Sequence, residues 1–71
     1  MWFSGHALWR MADRAISRLD VEHVLATAHA RVPQPHGTTR HHGFALDGRG
    51  IVIVTETDDD RIVTVMNSDE V

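Results

Sequence analysis

Ile51-Val52-Ile53-Val54-Thr55-Glu56 limits what this chain can fold into more than any other stretch. Its first five residues are β-branched, stiff at χ1, and suited to a pleated backbone. The run is almost continuously apolar rather than alternating. That is the mark of a central strand covered on both faces, by its own chain or by a partner. Asp47-Gly48-Arg49-Gly50 precedes it and is a strong hairpin signal. Thr57-Asp58-Asp59-Asp60 follows as a second turn, and Arg61-Ile62-Val63-Thr64-Val65-Met66-Asn67 as a last strand. Before the hairpin, a period of two begins at Thr38. Thr38, Arg40, His42, Phe44 and Leu46 fall on one side, and Thr39, His41, Gly43 and Ala45 on the other. Gly43 inside that strand marks a bulge or the close approach of another backbone.

The first half of the chain has helical spacing. From His6 to Ser17, Leu8, Met11, Ala12, Ala15 and Ile16 gather on one face at about 100° per residue. His6, Arg10, Asp13 and Arg14 gather on the other, and Asp13 is placed to pair with Arg10. Trp9 lies at the margin of the apolar face. Ser4 is the expected N-cap of a helix from about Gly5 to Ala15. Ser17-Arg18-Leu19-Asp20 has the form of a capping box. It opens a second helix whose apolar positions are Leu19, Val21, Val24, Leu25 and Ala28. That helix should stop near His29 or Ala30, and Arg31 to Gly37, with Pro33 and Pro35, reads as a link.

The expected architecture is therefore α+β: two N-terminal helices packed on one face of a three-stranded antiparallel meander, in two layers. Trp2 and Phe3 form a short extra strand or cap the core. The 71 residues make one small domain, residues 1–71, and the tail from Ser68 to Val71 reads as frayed. A chain of this length buries only about 60% of its unfolded surface. With no cysteine it has no disulfide to help, so completion of the core by a partner or by self-association is expected. Absence of cysteine also suits a reducing cytoplasm. Neither a signal peptide nor a membrane span is read. No phosphate-binding glycine loop, nucleophile elbow or dinucleotide fingerprint is present. The net charge is −3, with arginine supplying all seven basic residues. A nucleic-acid binder is expected to be basic or to carry a basic stripe. Here the acids concentrate at Asp58 to Asp60 and at Asp69-Glu70, away from the arginines of the first helix and Arg40.

Ser4-Gly5-His6-Ala7, then Arg10-Met11-Ala12-Asp13-Arg14-Ala15-Ile16-Ser17, resembles the start of the bacterial family filed as domain of unknown function 4258. The Gly-Thr-Thr-Arg strand start at Gly37 to Arg40, the Asp-Gly turn and the closing Ile-Val-Thr-Val strand fit as well. That family looks like a relative of the RelE and ParE toxins, in the barnase, EndoU, colicin and RelE group of small nuclease folds. The resemblance implies a RelE-like sandwich, a toxin component with a cognate antitoxin, and RNA as substrate. It carries over His6, Arg14, Arg40 and Thr64 as catalytic residues, with Arg10 as a second choice. This chain departs from that pattern in having no lysine and no tyrosine. Met66 and Asn67 stand where a functional aromatic is expected.

Metal-independent RNA cleavage needs a base, cations for the phosphorane and an acid. His6 sits in an i, i+4 row with Arg10 and Arg14 and can exchange a proton near neutral pH. Arg10, Arg14 and Arg40 can hold phosphate oxygens bidentately. His41 or His42 can carry the second proton and touch substrate, and Thr64 can orient one of these groups. His41 and His42 point to opposite faces of a strand, so they do not share a metal, and no metal or cofactor is expected. The second reading, from another class, is a non-catalytic module that binds a protein or its own copy through Ile51 to Val54 and the aromatic N-terminus. The two part on geometry: if His6 and Arg40 lie on opposite sides of the molecule, one chain cannot combine them in one site.

Overall fold

The computed structural model of the protein describes residues 2–57 and 61–71. Five strands form one sheet, and two helices precede most of it: β1 (Trp2–Phe3), α1 (Gly5–Asp13), α2 (Arg18–Thr27), β2 (Ala30–Pro33), β3 (Thr38–Phe44), β4 (Gly50–Glu56) and β5 (Arg61–Asn67). A 3-10 turn at Ser68–Glu70 closes the chain. The sheet order is β1-β5-β4-β3-β2, so the β-branched run is the middle strand. The α+β class and the two helices agree with expectation. The sheet is larger than the expected meander and mixed, because β1 pairs parallel with β5 and β2 pairs antiparallel with β3. Of the second expected turn, Asp58 to Asp60 lie outside the described residues.

β2 takes the first three residues of the expected proline link, Arg31 to Pro33. Its partner row runs from Ala30 opposite His42 to Pro33 opposite Thr39. Proline is tolerated there because β2 is an edge strand and has no further neighbour that needs its missing N–H. The Gln34 N–H donates to the Thr38 carbonyl at 2.7 Å, and Gly37 adopts φ +81°, closing the hairpin. α2 accordingly ends early, at Thr27, because Ala28 already has extended ψ (133°).

Each helix is tethered to the sheet at its start. The Ser4 hydroxyl caps α1 by accepting from the Ala7 N–H at 2.9 Å, and it donates to the Val63 carbonyl on β5 at 2.8 Å. This tether sets the rotation of α1. Ala7 and Met11 face the sheet, whereas Leu8 and Trp9, expected at the apolar face and its margin, are exposed. The small Ala7 side chain lets the helix sit close to the strands. The capping box forms as expected: Ser17 Oγ accepts from the Asp20 N–H and Asp20 Oδ2 from the Ser17 N–H, both at 3.0 Å. The other Asp20 oxygen accepts the Leu46 N–H at 3.1 Å and so ties α2 to the β3–β4 hairpin. Val21 and Val24 of α2 are fully buried; Leu19, expected with them, is exposed beside the cap.

α1 ends two residues earlier than expected, in a left-handed turn. Ala15 has φ +52°, the Ile16 N–H reaches the Met11 carbonyl at 2.9 Å, and the Ala15 N–H reaches the Ala12 carbonyl at 3.4 Å. This is the Schellman pattern, completed by burial of Met11 and Ile16 in one core. Alanine in the left-handed region meets its own Cβ, at a cost of roughly 1 kcal/mol.

The helices cover one face of the sheet. Ile51 and Ile53 of β4, Ile62 and Val65 of β5 and Ala45 lie beneath them with no exposure above 3%. A Cβ built on Gly43 would stand 3.2 Å from Val24 Cγ1 and 3.4 Å from Ala28 Cα, so glycine there is what lets α2 approach β3. Gly43 thus fixes which side of β3 the helices occupy: Thr39, His41 and Gly43 face them, and Arg40, His42 and Phe44 face away.

Two stability outcomes follow. Ala15→Gly raises stability by about 1 kcal/mol in urea denaturation by relieving the left-handed alanine. Asp20→Ala lowers it by about 2 kcal/mol, because two N–H groups lose their acceptor. Hydrogen bonds to Ser17 and Leu46 hold the Asp20 carboxyl below its ordinary range. Its contribution is complete above the unfolded pKa of about 3.9 and is lost as pH falls through the lower folded value, so Asp20→Asn flattens the acid limb of the stability curve.

Candidate functional site

The candidate residues divide between two surfaces. His6 and Arg10 lie on α1 and Arg14 at its C-cap, so the expected row forms across the helix end. Arg10 Nε approaches His6 Nε2 at 3.4 Å, and the His6 ring lies over that of Trp9 with centroids 6.5 Å apart. Both arginines meet Glu70 of the 3-10 turn. Arg14 donates from Nε to Oε2 at 2.8 Å and from Nη2 to Oε1 at 2.5 Å. Arg10 Nη1 stands 3.5 Å from Oε1, and the Asn67 N–H donates to Oε2 at 2.8 Å. Asp13, expected to pair with Arg10, pairs instead with Arg14 Nη1 at 2.6 Å. The tail expected to fray therefore clasps the row. The Arg14 hydrogen bonds come first among the causes that hold the Glu70 carboxyl down at about 2, followed by the Asn67 N–H. The carboxylate's charge, and with it the ionic part of the clasp, is complete above the ordinary carboxylate range and is lost as pH falls through about 2.

Arg40, His42 and Thr64 lie on the other side, on the sheet face away from the helices. Arg40 stands opposite Val54 on one neighbouring strand and Val32 on the other. Thr64 stands on the far side of Val54, so Arg40, Val54 and Thr64 form one row across β3, β4 and β5. His42, Val52 and Met66 form the next row. Among the described residues Arg40 has no ion pair; Thr64 Oγ1 makes only a 3.5 Å contact with the Val65 carbonyl. The face also carries Trp2 and Phe44, which are 52% and 56% exposed, and Val32 on the edge strand. Arg61 stacks on Trp2, 4.9 Å from the ring centroid, and pairs with Glu56 at 3.1 Å.

His41 belongs to neither surface. It faces the helices, its Nε2 bonds Thr55 Oγ1 at 2.9 Å, and its Nδ1 is buried without a partner. Burial first, then the nearby charges of Arg31 and His42, push its imidazole below the ordinary range. Alternation along the strand places His41 and His42 on opposite faces. The structure thus gathers Arg40, His42 and Thr64 on one face and His6, Arg10 and Arg14 on α1 and its C-cap, but does not join the two groups. Sequence reasoning missed Glu70, whose position in an acidic tail gave no signal, and His29, whose ring lies 5.4 Å from that of Phe44. No described helix is long and apolar enough to cross a membrane.

Because Arg14 is the first cause of the Glu70 shift, Arg14→Ala returns that carboxyl toward about 4.3, the ordinary glutamate value. A carbon-13 NMR titration of the side-chain carboxyls reads this directly; an unchanged Glu70 midpoint contradicts the clasp.

Comparisons with curated proteins and with solved structures give no match. A family model described as Domain of unknown function (DUF4258) matches residues 3–67, nearly the whole chain, and the protein belongs to that family.

Proposed function

We propose that this protein is a non-catalytic interaction module that docks a protein, a partner or a second copy, through the open face of its sheet. The observation that carries this reading is the exposure of Val32 and Phe44 beside Arg40 and His42, with Trp2 exposed on the opposite edge strand, on a face that no described helix covers. Exposed apolar groups gathered on one face of a small domain mark an interaction surface more often than an idle one. The aromatic and arginine content matches the residues enriched in interface centres. The strand Ile51 to Val54, first expected to make the contact itself, instead supports it from within: Ile51 and Ile53 lie under the helices and Val52 is fully buried, leaving Val54 half-buried beside Arg40. Separation of His6 from Arg40 removes the main support for a single catalytic site within one chain.

The second reading is a RelE-like or ParE-like toxin with a cognate antitoxin, a metal-independent ribonuclease. One observation favours it: Arg40, His42 and Thr64 share the open face. On this reading Arg40 holds a phosphate, His42 moves the proton and Thr64 orients a reacting group. His6, Arg10 and Arg14 then lie outside the chemistry. An antitoxin would cover the same exposed aromatics.

Sedimentation and growth assays separate the two. Phe44→Asp changes an exposed residue and leaves stability within about 0.5 kcal/mol. On the module reading it turns a self-associated species into a monomer, or abolishes partner binding, and neither the wild type nor the variant cleaves RNA. Loss of growth inhibition and of RNA cleavage in His42→Ala and Arg40→Ala, with association unchanged, decides for the toxin.

A further inference from the structure

The Glu70 clasp has the form of an occupied anion site. Its donors come from held parts of the molecule: Arg10 from the helix anchored by Ala7 and Met11, Arg14 from that helix's C-cap, and the Asn67 N–H from the end of β5. Asp13 pairs with Arg14 Nη1 and leaves Nε and Nη2 facing the anion. The occupant comes from a 3-10 turn with no buried residue. Elements with so little buried surface open locally at low free energy, while packed helices do not. The donors therefore stay in place when the carboxylate leaves.

A second feature adjoins it. A shallow open depression of about 410 Å³ is lined by Arg49, Gly50, Asn67, Ser68 and Asp69. Asn67 belongs to both features. Arg49 also donates to the Arg14 and Ala15 carbonyls at 2.9 and 2.7 Å. Those carbonyls follow the end of α1, and Arg49 also pairs with Asp47 at 2.8 Å.

We propose that Arg10, Arg14 and the Asn67 N–H form a phosphoryl-binding site, occupied in the resting protein by Glu70, with the neighbouring depression taking the body of a nucleotide-sized phosphate ester. The Arg14 fork suits two phosphate oxygens as it suits two carboxylate oxygens. The Asp69 carboxylate at its wall can accept hydrogen bonds from sugar hydroxyls. Acidification in the ordinary range does not open the site, because the Glu70 carboxyl stays ionised there, so a competing anion must displace it. This surface lies on the helix side and is independent of the open sheet face.

The test is an NMR titration of the folded protein with adenosine 5′-monophosphate and, separately, with inorganic phosphate. Glu70→Ala binds the nucleotide at least tenfold more tightly than wild type, with shifts at the Arg14 Nε–H and the Asn67 N–H. Glu70→Ala combined with Arg14→Ala loses that gain. Inorganic phosphate binds more weakly than the nucleotide. Equal affinity of wild type and Glu70→Ala, or full binding by the double variant, overturns the site. Equal affinity for the two ligands overturns the role of the depression. If Glu70→Ala does not fold, Glu70→Gln removes the charge and keeps an acceptor for the Asn67 N–H, with the same expected gain.

Discussion

Two helices of nine and ten residues must cover a five-stranded sheet, and they can cover only one face of it. Everything else in the molecule answers to that shortage. Ala7 and Gly43 bring the helices close enough to exclude water from Ile51, Ile53, Ile62 and Val65. Packing at that distance tolerates little added volume, since interiors are as dense as organic crystals. The opposite face receives no helix. Its central residue Val52 is fully buried while the outer positions are not, so the face is dry at its centre and open at its sides.

Short helices gain little from their own backbone, since helices below about twelve residues are marginal alone. Position is therefore set by a few polar tethers. Ser4 fixes the start of α1 to β5, and Asp20 fixes α2 to the β3–β4 hairpin. Arg49 joins the end of α1 to the same hairpin through the Arg14 and Ala15 carbonyls. These contacts override hydrophobic pattern where the two conflict. Leu8 and Leu19 are left outside, each within two to four residues of a cap.

Some local signals in the sequence specify structure directly, whereas helix ends and most of the long-range pairing do not follow from it. The capping box, the β3–β4 hairpin and the two sides of β3 each depend on residues within a few positions of one another. The parallel pairing of Trp2-Phe3 with Arg61-Ile62 joins opposite ends of the chain, and a two-residue strand has no period to detect. β2 was hidden by its prolines, which signal a break unless the strand is known to lie at an edge. The candidate site was legible to the same extent. The His6, Arg10 and Arg14 row follows from helical spacing, and the parting of His41 from His42 follows from strand alternation. Whether α1 and Arg40 share a surface depends on which face of the sheet the helices choose. Gly43 records that choice, but as a glycine it announces only a close approach, not its direction.

The charge of the chain is best understood residue by residue. Arg10, Arg14, Arg18, Arg49 and Arg61 each face a carboxylate, and Arg31 donates to the Leu25 carbonyl. Arg40 alone among the arginines has no such partner in the described residues, and it lies half-buried between two valines. A partly desolvated cation without a counter-ion is unfavourable in an isolated chain. Were Arg40 only a solubilising charge, it would be better placed at the rim, where water can surround it. Set instead in an apolar strip, its stem adds to the hydrophobic surface and its guanidinium awaits an anion. A partner's carboxylate and a phosphate both meet that need. On the proposed docking reading this placement has a use: a partner's surface brings an anion to Arg40 and apolar contacts to Val32 and Phe44 beside it.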